Sequence, residues 1–273
     1  MLLSVTGIVA YLIPHHPGTT FLDVLVFFFI GFCASGGAMT INNYIDRDID
    51  QLMERTSDRA SLHNIGPTRT LIFGIVLVFL AVTVAYLKYN LITALFLLAA
   101  DLFYIFLYSM WLKRTSVWST IIGGIISPTP VWVGYTSELG YLPLEGLLLG
   151  LLVFIWTPSH TFAMSAKNVD DYTNAEIPMF PVVWGMKTTA LGTLIGGIIT
   201  VLYAVWMYYI FFLPRYYFIT AIFLGLISIY FTYTNIKFYL NPTVRNATIS
   251  FRGGHTIFLA GYYTLILIQN YIQ

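Results

Sequence analysis

Apolar runs and short polar breaks alternate along almost the whole chain. Runs of this length must be helices in lipid, because lipid offers no hydrogen-bond partner to an open strand edge. The pattern predicts nine helices, over 1–13, 21–41, 70–87, 91–111, 117–136, 145–166, 188–212, 216–236 and 254–271. The first run is too short to cross about 30 Å of hydrocarbon, so that helix is either partial or continues upstream.

The composition excludes a soluble fold. The 273 residues are 58% hydrophobic and 9% charged, whereas soluble domains carry about 25% charged residues. We therefore predict an all-α polytopic membrane protein, a single domain over 1–273, with nine transmembrane helices of which the first is short or truncated. Cys33 is the one cysteine, which excludes an internal disulfide. No Lys or Arg precedes the first run, so we expect no cleavable leader.

Lysine and arginine are concentrated on one side of the predicted bundle. Only Lys88 and Arg215 lie on the other side. Because cytoplasmic loops are rich in Lys and Arg, we expect a protein of the cell membrane with its N-terminus in the cytoplasm and its C-terminus outside. The long loops, predicted over 42–69, 167–187 and 237–253, share the basic side, so we expect the functional groups there.

The densest group of charges follows helix 2, where residues 42–50 read Asn-Asn-Tyr-Ile-Asp-Arg-Asp-Ile-Asp. Asn42, Asp46 and Asp50 recur every four residues, so they share one helix face. Carboxylates crowded in this way repel one another unless a cation lies among them. The pattern therefore indicates a cation site at the cytoplasmic end of a membrane helix.

Magnesium suits this group because it binds one or two protein carboxylates together with substrate phosphates. We interpret Asp46 and Asp50, with Asn43 as a neutral oxygen donor, as its ligands. Arg47 and Arg55 would contact phosphate oxygens. The alternative is a salt-bridged loop that only ends the helix.

A second acidic group follows helix 6. Asp170 and Asp171 would hold a second magnesium, with Lys167 contacting phosphate, although a capped loop has the same appearance. A weak internal repeat favours the metal site, because residues 38–46 align with residues 163–171 at four identical positions. The two segments end helices of the same orientation, as a duplication would require.

Three further polar positions occur within or at the end of predicted helices. His160 lies inside helix 6, where ionisable residues are functional candidates. Asp101 lies in the middle of helix 4 and should face the bundle. Lys113 and Arg114 end helix 4 and are either an anchor that follows the positive-inside rule or a cationic wall of the phosphate site.

Residues 42–50, with the Met-Glu-Arg-Thr of 53–56, resemble the signature N-D-x-x-D-x-x-x-D of the UbiA superfamily of intramembrane prenyltransferases, with Asn43 in place of the first Asp. Residues 108–116, 156–160 and 170–183 resemble the protoheme IX farnesyltransferase branch of that superfamily. Two departures are Glu176, where that branch commonly has Gly, and Asp101, which has no recognised counterpart.

The resemblance implies a nine-helix bundle that joins the farnesyl group of farnesyl diphosphate to a vinyl group of heme b, with water supplying a hydroxyl, to give heme O. It implies Mg²⁺ as cofactor and His160 as a heme contact. The implied catalytic residues are Asp46, Asp50 and Asp171. The implied metal ligands are Asn43, Asp46, Asp50, Asp170 and Asp171. The implied diphosphate contacts are Asn42, Arg47, Arg55, Lys113, Arg114 and Lys167.

Two other functions compete with this one. A UbiA-type enzyme could prenylate a quinone precursor or a lipid, but such enzymes usually carry Asp at position 43. A transporter of anions would place its polar site near the membrane midplane, whereas the acidic groups here lie at one side. We also expect a downstream heme-modifying enzyme as a partner, contact with the lipid bilayer, and no nucleic-acid partner.

Overall fold

The computed structural model describes residues 2–14, 19–57, 65–211 and 217–272, which form helices and turns without a β-strand in these ranges. The helices are α1 (Leu2–Leu12), α2 (Phe21–Ile45), α3 (Arg47–Asp50), α4 (Pro67–Lys88), α5 (Leu91–Thr115), α6 (Ser119–Gly123), α7 (Thr129–Leu139), α8 (Leu144–Lys167), α9 (Val169–Asn174), α10 (Phe180–Phe211), α11 (Tyr217–Leu240), α12 (Val244–Ile249) and α13 (Thr256–Ile272).

Six of the described helices, α2, α4, α5, α8, α10 and α11, are long and apolar enough to cross a membrane. The prediction of an all-α, multi-pass membrane protein is confirmed. The other three predicted spans correspond to α1, to α6 with α7, and to α13. The described segments are therefore compatible with a nine-helix bundle.

The predicted span 117–136 is broken. A 3₁₀ turn at Gly124–Ile126 separates α6 from α7, and α7 begins just after Pro128 with Pro130 in its first turn. Proline lacks a backbone N–H and is tolerated mainly in the first turn of a helix. The two prolines therefore start a new helix rather than continue the preceding one.

Two of the three long loops predicted on the basic side are largely helical. Residues 237–253 contain the end of α11, all of α12 and part of a π-helical segment at Ser250–His255, so a long loop there is wrong. Residues 167–187 contain α9 and the start of α10, which has a kink at Gly185 (φ 76°). In loop 42–69, residues 58–64 lie outside the described residues.

The helices α2 and α4 touch through their backbones. A Cβ atom on Gly37 would lie 2.9 Å from the carbonyl oxygen of Gly74, and a Cβ on Gly74 would lie 3.0 Å from that of Gly37. Small residues allow this approach in membrane proteins, where dispersion drives helix association. The end of α2, which carries the first acidic group, is thereby held against α4.

The described side chains separate into a packed interior and an apolar exterior. Leu149, Phe231 and Phe258 are fully buried between α8, α11 and α13, whereas Phe79 and Leu87 of α4 are more than 70% exposed. Large exposed apolar side chains along a long helix are expected for a surface that faces lipid. The bundle therefore has an interior in which a site can be enclosed.

Candidate active site

The first acidic group lies where α2 ends. Asp46 caps α2 in a non-helical conformation (φ −88°, ψ 8°), and α3 begins at the next residue. The amides of Asp46 and Asp50 still bond to the carbonyls of Asn42 and Asp46, both at 2.8 Å. Asn42, Asp46 and Asp50 are all buried, whereas Arg47 and Asp48 between them are exposed. The four-residue spacing thus gives one buried polar face.

The end of α5 supplies cations to this face. The Lys113 ammonium donates to Asp46 Oδ2, and Arg114 Nη2 lies 3.5 Å from Asp46 Oδ1. Arg114 also donates two hydrogen bonds to the Asp48 carboxylate, at 2.6 and 2.7 Å, in a bidentate pair. It donates a third to the carbonyl of Ile45 at 2.9 Å. Lys113 and Arg114 therefore contact the first acidic group, and their role as a cationic wall of the phosphate site stays a prediction.

The Arg114 bond has an electrostatic consequence for Asp48. This hydrogen bond is the largest influence on the carboxyl and lowers its pKa to about 2. Asp48 is therefore ionised at neutral pH. Because its side chain is 60% exposed, this pair orients Arg114 more than it stabilises the fold.

A π-helical segment at Phe103–Leu112 directly precedes Lys113 and Arg114. Segments of this kind insert an extra residue into a helical turn and occur often at functional sites. Within it, Ser109 accepts a hydrogen bond from Asn42 Nδ2 at 2.9 Å, and the same amide donates to Asp46 Oδ2 at 2.8 Å. Sequence reasoning assigned no role to Ser109, which lies in an apolar run and gives no separate signal.

The second acidic group contacts the loop that follows the first. The backbone N–H of Glu54 donates to Asp171 Oδ1 at 3.0 Å, and Arg55 Nε lies 3.8 Å from Asp171 Oδ2. Asp171 has a side chain that is 15% exposed, whereas Asp170 is exposed on α9. The two groups, separated by more than 100 residues, are thus brought together through Asp171 rather than Asp170.

The remaining predicted cations lie over aromatic rings. The Arg47 guanidinium is 4.4 Å from the centre of the Tyr44 ring and donates to the Tyr44 carbonyl at 2.7 Å. The Lys167 ammonium is 5.5 Å from the centre of the Phe251 ring. Neither makes a described contact with the aspartates, so their phosphate roles stay predictions.

The residues fit a metal that arrives with phosphate ligands of its own. Among the described residues, no three His, Cys, Asp or Glu side chains converge as a metal site. Asp46 and Asp50 are buried one turn apart. Since Mg²⁺ takes only one or two protein carboxylates when substrate phosphates complete its shell, this donor set suits a metal–diphosphate complex better than a bare ion.

A cavity of about 460 Å³ extends from this end of the bundle into the membrane interior. Its lining is mainly apolar and includes Met39, Met164 and the stacked rings of Tyr104 and Tyr108, whose centres are 5.6 Å apart. Tyr108 is followed by Ser109, which is joined to Asp46 through the side chain of Asn42. One end of the cavity is therefore next to the aspartates, and the rest can take a hydrocarbon chain.

His160 lies beside this cavity and does not line it. Its ring stacks on Trp156 at 4.0 Å and on Phe251 at 4.7 Å between centres, and His255 is 5.6 Å away. His160 Nδ1 is buried without a hydrogen-bond partner in the described part of the chain. Sequence reasoning made no claim for His255, because the predicted helix began one residue before it.

The chain matches the model of the UbiA prenyltransferase family over residues 3–263. It belongs to that family. Two curated relatives are both named protoheme IX farnesyltransferase. That of Saccharolobus islandicus (strain L.S.2.15 / Lassen #1) is 32% identical and covers 98% of this chain and 90% of its own. That of Rickettsia akari (strain Hartford) is 35% identical over 97% of this chain and 86% of its own.

Solved structures of the UbiA fold superpose on nearly the whole chain. A UbiA homolog from Archaeoglobus fulgidus bound to GPP and Mg²⁺ has a TM-score of 0.71 at 14% identity, covering 97% of this chain and 95% of its own. A structure described as digeranylgeranylglyceryl phosphate synthase has a TM-score of 0.73 at 17% identity, covering 99% and 92%. At these identities the likeness establishes the fold.

This UbiA-family protein is therefore a prenyltransferase, and the transporter interpretation is set aside. The geometry agrees with the chemistry of the family. The buried Asp46 and its partners Lys113 and Arg114 lie within about two helical turns of Met39 and Tyr108, which line the apolar cavity. The internal repeat stays a prediction, since the comparisons treat the chain as one family match.

Proposed function

We propose that this enzyme transfers a farnesyl group from farnesyl diphosphate to a vinyl group of heme b and gives heme O, in a Mg²⁺-dependent reaction. The observation that carries the proposal is the similarity, at 32% and 35% identity over nearly the full length, to two relatives named protoheme IX farnesyltransferase. The buried polar group beside an apolar cavity supports the donor half of the reaction.

At the donor end, Lys113, Arg114 and Arg55 would hold the diphosphate. The bond between C1 of the farnesyl group and the diphosphate oxygen breaks, and its electron pair leaves with the diphosphate. Fixed cations stabilise the charge that develops on this leaving group. A bound Mg²⁺ supplies Lewis-acid stabilisation of the same charge. Its proposed ligands are Asn43, Asp46, Asp50, Asp170 and Asp171.

The cavity then determines which groups can react with the allylic cation. Its apolar walls exclude water, and the stacked rings of Tyr104 and Tyr108 line it, where π-electrons attract positive charge. A vinyl carbon of heme b attacks C1 and forms the carbon–carbon bond. Water adds to the resulting cation on the former vinyl group, and one proton is released to solvent.

We propose His160 as the heme contact. It is partly buried in an aromatic stack with Trp156 and Phe251, and its Nδ1 has no partner in the described residues. His160→Ala should weaken heme b binding at least tenfold and change the affinity for farnesyl diphosphate less than threefold. Separate titrations with heme b and with the diphosphate measure both, and the reverse order of effects would remove His160 from this role.

We further propose that the site faces the cytoplasm, with the N-terminus inside and the C-terminus outside the cell membrane. The support is the bias of Lys and Arg to the side that carries the acidic groups. The product would pass to a downstream heme-modifying enzyme. A cysteine placed near the C-terminus should react with a membrane-impermeant reagent in intact cells, whereas one placed next to Glu54 should not.

The decisive experiment is prenylation in membranes that contain the protein. With heme b, farnesyl diphosphate and Mg²⁺, a heavier and more hydrophobic heme should appear by chromatography and mass spectrometry. If intact protein prenylates a quinone precursor or a lipid from the same membranes and leaves heme b unchanged, the acceptor assignment is wrong. Membranes that contain the Asp46→Ala variant serve as the control.

A further inference from the structure

Two cations beside the proposed heme contact form no ion pair with the described carboxylates. Lys167 ends α8, and Arg252 lies in the π-helical segment that precedes α13. The ion pairs of the described residues include neither of them. The charge of Arg252 acts on that of Lys167, so the two cations share one neighbourhood. A local excess of positive charge of this kind attracts an anionic ligand.

The ring of Phe251 joins these cations to the proposed heme contact. The Lys167 ammonium lies 5.5 Å from the centre of this ring, and His160 stacks on the ring at 4.7 Å between centres. Arg252 follows Phe251 directly, so the Cα atoms of the two residues are about 3.8 Å apart. The two cations and the histidine are therefore neighbours of the same aromatic ring.

One face of α8 carries Trp156, His160 and Lys167, because steps of four and seven residues return to the same side of a helix. Seven residues at about 1.5 Å each separate Lys167 from His160 by about 10 Å along the axis of α8. Trp156 Nε1 and His160 Nδ1 are buried without a hydrogen-bond partner among the described residues. This face suits a flat and largely apolar ligand that has an anionic edge.

Heme b has this distribution of groups. Its macrocycle is flat, its two propionate carboxylates share one edge, and its two vinyl groups lie on the pyrrole rings away from that edge. A macrocycle at the depth of His160 would bring the propionates toward Lys167 and direct the vinyl groups into the bundle. Ammonium and guanidinium groups bind carboxylates through charge-assisted hydrogen bonds.

We infer that Lys167 and Arg252 bind the propionate carboxylates of the acceptor, and that they thereby select a porphyrin with free carboxylates and direct its vinyl edge inward. The inference rests on the proposed function for the identity of the acceptor and adds an anion-binding subsite to it. The family resemblance implied that Lys167 contacts the diphosphate, whereas its position over Phe251 favours the acceptor. Both residues act in acceptor binding and take no part in the bond-making step.

The test compares heme b with its dimethyl ester, in which both carboxylates are neutral and the macrocycle and vinyl groups are unchanged. Each heme is titrated into the purified full-length protein, and the change in Soret absorption gives the two dissociation constants. The wild type should bind heme b at least tenfold more tightly, as expected of two partly exposed ion pairs. Lys167→Met and Arg252→Gln should each reduce this ratio at least threefold. Differences in solubility between the two hemes cancel when the ratio is compared between proteins.

Matched control variants separate this subsite from the general basic charge of the same side. Lys237→Met and Arg245→Gln remove exposed cations at the end of α11 and in α12, and both should leave the ratio within twofold of the wild type. Lys167→Arg keeps a positive charge at the same position and should retain at least half of the wild-type ratio.

Four results would overturn the inference. The first is a wild type that binds heme b and its dimethyl ester equally, which requires no variant. The second is the wild-type ratio in folded Lys167→Met and Arg252→Gln proteins. The third is an equal reduction of the ratio in Lys237→Met and Arg245→Gln. The fourth is a Lys167→Met protein that keeps the ratio and loses affinity for an unreactive thiolo-diphosphate analogue of farnesyl diphosphate, which would return Lys167 to the diphosphate.

The failure of this inference can be told from the failure of the proposed function. If the ratio changes as expected while heme b is not prenylated, the carboxylate subsite stands and the proposed reaction is wrong. If heme b is prenylated and the wild type does not distinguish it from the ester, the reaction stands and the subsite is wrong. A wild type that binds neither heme overturns both.

Discussion

Replacing Lys113 with methionine tests whether this cation serves the donor site or only anchors the helix. Lys113 pairs with the fully buried Asp46, and its own side chain is 13% exposed. Methionine keeps the unbranched apolar stem and removes the charge. Arg114 Nη2 stays 3.5 Å from Asp46 Oδ1, so the aspartate keeps one cationic neighbour in the variant.

The size of the effect follows from the burial of the pair. Leaving a buried charge without its partner costs about 3–5 kcal/mol, and the neighbouring Arg114 reduces the loss of stability below this range. A charge-assisted hydrogen bond to the diphosphate is worth about 1.5–3 kcal/mol. We therefore expect kcat/KM for farnesyl diphosphate to fall by about 10- to 150-fold.

The assay is steady-state prenyl transfer at saturating acceptor, together with titration of an unreactive thiolo-diphosphate analogue of farnesyl diphosphate. Lys237→Met is the matched control, because Lys237 is an exposed basic residue in the last turn of α11 and would share an anchoring role. An anchor alone predicts that both variants insert poorly and that the inserted protein has normal kinetics. Unchanged kcat/KM in folded Lys113→Met would refute the cationic-wall assignment.

Further predictions concern the acidic groups, the loop cations, the metal and the backbone. Asp50→Ala and Asp171→Ala should each lower turnover about 100-fold or more while the melting temperature changes by only a few degrees; normal turnover in both would refute the metal assignment. Arg55→Ala should raise KM for the donor about tenfold, and Arg245→Ala, a control at an exposed arginine of α12, less than threefold. Chelation with EDTA should abolish transfer and added Mg²⁺ should restore it; activity that persists in EDTA contradicts the cofactor. Glu176 has a φ of 53°, so Glu176→Gly should raise the free energy of unfolding by up to about 1 kcal/mol, and a lower value in chemical denaturation would contradict this strain.

The long helices were predictable because length and apolarity suffice to define them. α4 and α5 were predicted within a few residues, since a bilayer fixes the length of an apolar run. The breaks within the helices were harder to predict. Pro128 and Pro130 occur in an otherwise apolar run, and in a membrane such prolines are also tolerated inside kinked helices. The helical continuation from Val244 to His255 is polar at several positions, which hides it from a search for apolar runs.

The sequence was enough to predict which residues form the site but not which of them contact one another. The spacing of Asn42, Asp46 and Asp50 predicted a cation beside them, which was interpreted as Mg²⁺ with a salt-bridged loop as the alternative. The pairing of Asp46 with Lys113 depends on how α2 packs against the π-helical part of α5, and no local pattern encodes a contact across 67 residues. The neighbourhood of His160 and His255 depends on tertiary packing in the same way.

The backbone contact of Gly37 with Gly74 couples the first acidic group to a helix that does not line the cavity. Side-chain packing can slide by rotamer changes, but two touching backbones have no intervening atoms to rearrange. A Cβ atom on Gly74 would meet both the Gly37 carbonyl and Ile41. A larger residue at position 74 would therefore displace the end of α2, and with it Asp46, without touching the site itself.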